Sequence, residues 1–371
     1  MRNGEREITT PVSLTAPGGG LNPDAVGWTR RPLHDTSGIG SGDGLLPDVW
    51  GRNKRWEYWL VMTPTHLMSL TISDVDYASS HTVWVYEIPT RRRLDVTAIV
   101  PFARGSILPP SLKDGTRARG GSLSLGGRVR EPGPGRMRAF IDSEATGTRL
   151  RADGQAPARR GSAPGGIEKV RFDVVAHRAP NHESLGVVVP WSRERFQYTV
   201  KETALPASGW VELDGELIEL PEGESWAILD HGRGRWPYKM EWNWGAASGW
   251  VSDPAGAERL AVGLQFGGKW TDGTGSRENA VTVDGRLYPI HEDITWDYEF
   301  GNWEAPWHLH SPSVDLRLEP IWDHDAVTDL GVLAMKAHQV FGYFTGTVIV
   351  DGRELAIDRM LGFAEDVRNR W

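Results

Sequence analysis

The residues best suited to chemistry lie in one run, Asp230-His231-Gly-Arg233-Gly-Arg235-Trp236-Pro-Tyr238-Lys239-Met-Glu241-Trp242-Asn243-Trp244. A carboxylate beside an imidazole and two guanidinia suits a proton shuttle, because histidine ordinarily titrates near neutrality. An Arg–carboxylate fork that merely closes a barrel uses the same residue types. If Trp236–Trp244 is one extended strand, period two puts Trp236, Tyr238, Met240, Trp242 and Trp244 on one face. Lys239, Glu241 and Asn243 then share the other. In a closed barrel one face lines the interior. An aromatic lining makes a hydrophobic slot. A polar lining confines Glu241 and Asn243, where burial would raise a carboxyl pKa and fit it for acid or base work. In the structural alternative, Glu241 pairs with an arginine and the aromatic face packs against a neighbouring sheet.

Other groups offer weaker signals. Arg30-Arg31-Pro-Leu-His34-Asp35 and Asp74-Val-Asp76-Tyr77 add acids and a histidine. Asp74 and Asp76 share a face in an extended segment, and a glycoside hydrolase needs two acids held about 5–9.5 Å apart. His308 and His310 lie on one strand face, with Asp323-His324-Asp325 beyond; an H-x-H pair with a third ligand can hold zinc or iron. Two histidines alone assign no metal. Walker loop, dinucleotide fingerprint, HExxH helix and GxSxG elbow are all missing from the sequence, so no nucleotide cofactor or serine nucleophile is expected.

The elements that must position these groups read as strands. Apolar or β-branched residues recur at every second place in Leu67–Leu70–Ile72, Thr82–Trp84–Tyr86, Val170–Phe172–Val174 and Val348–Val350. Asp214-Gly215, Asp284-Gly285 and Asp351-Gly352 sit between such runs and predict hairpin turns. Short helices are expected only near Arg193–Phe196 and Phe363–Arg370. Gly38–Pro47 reads as a Gly-rich loop. From Arg104 to Gly166 the chain is dense in Gly, Pro and Arg, with strands expected at Met137–Ile141 and Thr148–Arg151.

Composition bounds the partners. The 371 residues are 39% hydrophobic and 24% charged, enough for packed cores in two domains. A formal charge of -8 leaves no basic footprint for nucleic acid or an anionic membrane. No apolar stretch reaches the roughly 20 residues of a membrane span, and Met1–Thr10 lacks a signal-like apolar core. With no cysteine there is no disulfide and no thiolate, which fits a reducing cytoplasm. The 18 Trp, against 9 Phe and 8 Tyr, suit either ligand walls or bulky core.

An internal repeat organises the chain. Gly209-Trp-Val-Glu-Leu-Asp-Gly-Glu-Leu-Ile-Glu-Leu220 and Gly346-Thr-Val-Ile-Val-Asp-Gly-Arg-Glu-Leu-Ala-Ile357 are each a strand, an Asp-Gly turn and a returning strand. Both lead to related endings, Asp230-His-Gly-Arg-Gly-Arg-Trp236 and Glu365-Asp-Val-Arg-Asn-Arg-Trp371. His231 has no histidine counterpart in the second ending. Upstream, Arg55-Trp-Glu-Tyr-Trp59 matches Lys239-Met-Glu-Trp-Asn243 more loosely.

On these residues the chain resembles a bacterial family of uncharacterised proteins, domain of unknown function 2804. The strings are Leu21–Asp35 (LNPDAVGWTRRPLHD), Lys54–Ala78, Asp230–Gly249 and the segment from His338 to Trp371. More distantly, the Asp-Gly hairpin followed by Asp-His is similar to tandem lipocalin-like proteins, including the carotenoid hydratase (hydroxyneurosporene synthase) group, which adds water to an isoprenoid double bond. That likeness implies two calycin-type barrels. The nearer family carries no settled activity to transfer.

The expected fold is therefore all-β, with two tandem lipocalin-like antiparallel β-barrels at 1–236, with the insertion at about 104–166, and 237–371. The expected function is cofactor-free acid/base catalysis of hydratase, lyase or isomerase type on a largely apolar small molecule. Asp230, His231 and Glu241 would move protons. Arg233, Trp236, Tyr238, Trp242, Asn243, Trp244, Trp56 and Tyr58 would bind substrate. A glycoside hydrolase with paired carboxylates and Trp stacking, and a lipophilic-ligand carrier without chemistry, stay open beside it. The partner is a small molecule, not nucleic acid, and oligomeric state is open.

Overall fold

The computed structural model describes residues 6–39, 50–122, 136–157, 167–253, 256, 259–329 and 334–370. Most of the Gly-rich loop at Gly38–Pro47, parts of the Gly/Arg-rich insertion and Trp371 lie outside these residues.

The described chain is built almost wholly of antiparallel strands and falls into two compact units. One, called amino-side here, comprises residues 36–180 and 205–234; the other, carboxy-side, comprises 235–371 together with 1–35 and 181–204. The amino-side strands are β1 (Asn53–Met62), β2 (His66–Asp74), β3 (Ala78–Glu87), β4 (Arg92–Pro101), β5 (Arg136–Glu144), β6 (Gly147–Pro157), β7 (Ile167–His177), β8 (Phe196–Leu213, in this unit from Leu205) and β9 (Trp226–Arg235). The carboxy-side strands are β10 (Lys239–Ser252), β11 (Arg259–Gly268), β12 (Ala280–Val283), β13 (Arg286–Pro289), β14 (Thr295–Asp297), β15 (Trp307–Ser311), β16 (Val314–Asp329), β17 (Ala334–Val350) and β18 (Arg353–Arg370).

The repeat is visible in the connectivity. Along its main strands the first sheet runs β4-β3-β2-β1-β9-β8-β7-β6-β5, continuing past β5 to the short strands Arg117–Gly121 and Ser106–Ile107, and the second runs β13-β12-β11-β10-β18-β17-β16-β15-β14. Each label in one order is nine below its counterpart in the other. In both, a meander of four strands is joined to the rest where its first strand pairs with the last. Each sheet curls as a half-barrel around its own apolar core. The amino-side core includes Trp59, Leu70, Phe172 and Leu229; the carboxy-side core includes Phe266, Trp307, Leu316 and Phe344.

The alternating segments are strands as expected, and so are Met137–Ile141 and Thr148–Arg151. The Asp-Gly pairs are turns with positive φ at both residues: Asp214 53° and Gly215 92°, Asp284 48° and Gly285 82°, Asp351 52° and Gly352 75°. That is the type I′ geometry whose twist matches the flanking strands. Three expectations need correction. Phe363–Arg370 is the end of β18, not a helix, and Arg193–Phe196 is a bend running into β8. Every residue of Ala364–Asp366 and its neighbours is buried, so no alternation shows in the sequence there. Trp236–Trp244 is not one strand, because Trp236, Pro237 and Tyr238 separate β9 from β10. Among the described residues the helical piece is a single turn at Pro23–Ala25, and no helix is long and apolar enough to cross a membrane.

The glycines that open the repeated strings have a shared reason. Gly209 (φ +126°) and Gly346 (φ +142°) sit against the neighbouring strand, where an added Cβ would lie 2.1 Å from the Asp173 carbonyl and 2.0 Å from that of Asp315. Gly346 also marks a register shift in the β17–β18 ladder. Gly346→Ala is expected to lower stability by about 1–3 kcal/mol, the usual cost of an enforced unfavourable backbone. A fall in urea midpoint with unchanged slope would show it; an unchanged midpoint would mean the bulge relaxes freely.

Candidate functional site

The acid–His–Arg cluster lies in the amino-side unit and is dry. Glu57 on β1 and His231 and Arg233 on β9 are each about 1% exposed. Arg233 donates from Nη2 to Glu57 Oε1 (3.1 Å) and to the Pro109 carbonyl (3.0 Å), and from Nη1 to the carbonyls of Trp56 (2.7 Å) and Gly232 (2.9 Å). His231 Nδ1 stands 3.9 Å from Glu57 Oε1. Burial raises the Glu57 carboxyl against the pull of Arg233, and lowers the Arg233 guanidinium to about 10 against the pull of Glu57. Burial, then the Arg233 charge, holds His231 well below its ordinary range. A neutral imidazole locked beside a satisfied ion pair has the form of a seam. Trp56 donates from Nε1 to Asp230 Oδ2 at 2.9 Å, and Tyr58 is half-buried on the same strand. Asp74 pairs with Arg55, while Asp76 accepts from the Gly51 and Asn53 amides and shapes a turn.

The rest of the predicted set belongs to the carboxy-side unit. Glu241 is 55% exposed and stands 3.9 Å from Arg368, a solvated pair rather than a confined acid. Tyr238 is exposed. Trp236 donates to Gln197 Oε1 (2.6 Å) and stacks on Trp270, with Trp242 edge-on at 5.6 Å. Trp242 donates to Glu365 and Trp244 to Gln265, both at 2.8 Å. Asn243 alone of the predicted residues lines the cavity described next.

That cavity, about 260 Å³, is walled by Asn243, Lys269, Asp272, Asp293, Trp296 and Tyr298, with Thr271, Asn279 and Ile294 beside them. Local geometry explains its walls. β11 ends in Gly267-Gly268, and a Cβ on Gly268 would strike Trp296 Nε1 at 2.7 Å, so glycine lets the indole in. The chain then turns through Lys269, held at φ +65°, a conformation a side-chain-bearing residue adopts only when its surroundings fix it. Asn243 on β10 lies directly opposite Asp366 on β18. Tyr298 follows β14, with its ring stacked on Trp307 at 3.9 Å and 6°.

Three groups meet there. Lys269 Nζ donates to Asp366 Oδ2 (2.6 Å) and to Tyr298 Oη (2.8 Å), and Tyr298 Oη donates to Asp366 Oδ2 at 2.5 Å. Asn243 Nδ2 donates to Tyr298 Oη (3.3 Å) and to the Glu365 carbonyl (2.9 Å). Arg368 Nε holds the other oxygen of Asp366 at 3.1 Å. Burial and then the Asp366 hydrogen bond raise the Tyr298 phenol. Burial opposes the charges of Asp366 and Lys269, but their hydrogen bonds outweigh it, lowering the carboxyl and raising the ammonium. At the rim, burial and the neighbouring Asp293 charge raise the Asp272 carboxyl.

Sequence reasoning passed over Lys269, Tyr298 and Asp366, which are far apart in the chain. One signal was present: the repeated endings align His231 with Asp366, and the upstream match aligns Trp59 with Asn243. The seam in the other unit yields a separate expectation. Arg233→Met strands a buried carboxylate and is expected to cost about 3–5 kcal/mol, whereas Glu57→Leu with Arg233→Met removes both charges and recovers most of it. Urea unfolding of the three proteins checks this, and a double variant as weak as the single one would contradict it.

No curated protein matches the chain. Among solved structures, kievitone hydratase from Nectria haematococca is similar at 11% identity and a TM-score of 0.44, over 92% of this chain and 97% of that one. CghA is similar at 8% identity and a TM-score of 0.36, over 100% of this chain and 97% of that one. The family model described as a domain of unknown function matches from residue 5 to residue 371, so the chain belongs to the DUF2804 family.

Proposed function

We propose that the carboxy-side cavity is an acid/base site of hydratase, lyase or isomerase type, acting on a small oxygen-bearing molecule. The hydrogen-bonded Lys269–Tyr298–Asp366 group at the cavity wall carries this proposal. For a dehydration, rotation about the Tyr298 Cζ–Oη bond turns the phenolic proton to a leaving hydroxyl. The C–O bond breaks and water departs. Asp272, a carboxyl made more basic by burial and Asp293, takes the substrate C–H proton whose bonding pair becomes the double bond. The Lys269 ammonium balances the phenolate formed, and Asp366 with Arg368 keeps the phenol oriented. Hydration is the same path reversed.

The lining shifts the expected substrate from largely apolar to mixed. Asn243 is buried, and its Oδ1 has no hydrogen-bond partner among the described residues; Trp296 Nε1 is likewise a buried donor without one. The wall mixes the polar side chains of Asn243, Lys269, Asp272 and Asp293 with the rings of Trp296 and Tyr298, which suits a molecule bearing polar groups beside an apolar face. A carbohydrate hydrolase is the second possibility, because Asp272 and Asp293 both wall the cavity beside the Trp296 ring. In this proposal Asp230 and His231 serve the amino-side seam, and Glu241 the surface.

Native mass spectrometry of the protein from its host identifies a co-purifying ligand to start from. With a substrate in hand, Tyr298→Phe is expected to lower kcat by about 10²–10⁴-fold, the usual weight of a positioned proton donor, with KM little changed. Equal turnover in Tyr298→Phe and wild type would reject the assignment. Loss of aryl-glycoside cleavage in both Asp272→Asn and Asp293→Asn, with Tyr298→Phe active, would favour the sugar reading instead.

The pH profile has a defined sign. Activity needs Asp366 ionised and Tyr298 protonated. The Asp366 carboxyl is lowered from 3.8 and the Tyr298 phenol raised from 10.0, so these two groups place no limb between those values. The Asp272 carboxyl, raised from 3.8 by burial and the Asp293 charge, is expected to place an acid limb inside that window, and this limb should vanish in Asp272→Asn wherever activity survives.

A further inference from the structure

The geometry points to a divalent transition-metal site at Asp297, His308 and His310 on the carboxy-side unit, outside the cavity. Period two puts His308 and His310 on one face of β15, with ring centroids 4.6 Å apart. Register puts Asp297 of β14 directly opposite His308, and Asp315 of β16 directly opposite His310. The bonds cross diagonally: His310 Nε2 meets Asp297 Oδ2 at 2.9 Å and His308 Nε2 meets Asp315 Oδ1 at 2.7 Å. One ligand atom from each of Asp297, His308 and His310 lies within 4.8 Å of the other two.

A tetrahedral ion with bonds of about 2.0–2.1 Å holds its ligand atoms about 3.3–3.4 Å apart. Closing from 4.8 Å shortens the widest separation by about 1.4 Å, which side-chain rotation supplies. Exposure allows it: the Asp297 side chain is 62% exposed, His310 39% and His308 28%. Two imidazoles and one carboxylate suit Zn²⁺, Ni²⁺ or Cu²⁺ over Mg²⁺ or Ca²⁺, which favour all-oxygen sets. Asp315 or water supplies a fourth ligand. Arg317 lies opposite His308 on β16.

The site has a structural consequence. β14 is three residues long and is the edge of its sheet, so few hydrogen bonds hold it. Asp297 points from one face of that strand, and Trp296 from the other, where it walls the cavity. An ion bridging Asp297 to β15 pins the strand that carries Trp296 and leads into Tyr298.

The test uses the full chain, chelator-treated and desalted, titrated calorimetrically with Zn²⁺ alone and separately with Mg²⁺. One Zn²⁺ per chain is expected, with no Mg²⁺ uptake and affinity at least tenfold weaker in His308→Ala/His310→Ala. Zn²⁺ should also raise the melting temperature of the wild type and not of the double variant. If the alanine pair fails to fold, His308→Gln/His310→Gln, which keeps polar contact with the carboxylates, takes its place. No Zn²⁺ uptake by the wild type, or uptake unchanged in the folded double variant, overturns the site. Neither result depends on turnover at the cavity.

Discussion

Each unit closes where its first strand meets its last, and the polar groups on that seam govern what the interior can hold. In the amino-side unit the seam is the Glu57–Arg233 pair, removed from water with both partners about 1% exposed. Dehydrating two charges costs several kcal/mol apiece, and their mutual attraction offsets it only with good geometry and every remaining donor engaged. Arg233 meets that condition through the carbonyls of Trp56, Gly232 and Pro109. In the carboxy-side unit the corresponding Glu241 and Arg368 are directly opposite across β10 and β18 but solvated. Arg368 is thereby free to bind Asp366 instead.

The two copies diverge at neighbouring positions with opposite results. Where the amino-side unit has Trp59, in its apolar core, the carboxy-side unit has buried Asn243. Where the former has His231, held neutral by burial, the latter has Asp366, held ionised by Lys269 and Tyr298. A large ring fills space and needs few partners. An amide and a carboxylate must be hydrogen-bonded or wet. Both differences fall at the seam between first and last strand, where the carboxy-side unit has Asn243 walling its cavity and Asp366 directly opposite Asn243.

The fold was legible because its signals are local. Type I′ turns demand Asp-Gly, half-buried strands demand alternation, and duplication leaves matching strings. Local signals failed where both faces of a strand are buried. Trp226–Arg235 is buried throughout and so is most of Gly362–Val367; neither alternates, and the second passes for a helix. The cavity was legible only through Asn243. Lys269, Tyr298 and Asp366 are brought together by register between β10 and β18 and by the turn after β11, none of which composition or spacing encodes. The aligned endings carried the clue, since a position that changes from His to Asp between copies marks where the copies differ in chemistry.

Tryptophan content misdirects for a physical reason. A hydrophobic slot needs bare aromatic faces and no stranded donors. Here each indole of the mid-chain run has its N–H occupied, Trp236 by Gln197, Trp242 by Glu365 and Trp244 by Gln265, and Trp56 on β1 likewise donates to Asp230. Trp236 packs further against Trp191 and Trp270, and Trp244 lies under the Lys201 ammonium at 3.8 Å. Rings committed at both edge and face act as pillars that fix strand positions. Trp307 does the same for Tyr298, stacking on its ring while the phenol hydroxyl donates to Asp366 Oδ2 at 2.5 Å. Aromatic mass in this fold therefore sets the geometry of a polar site, and the cavity owes its character to the few side chains the pillars hold in place.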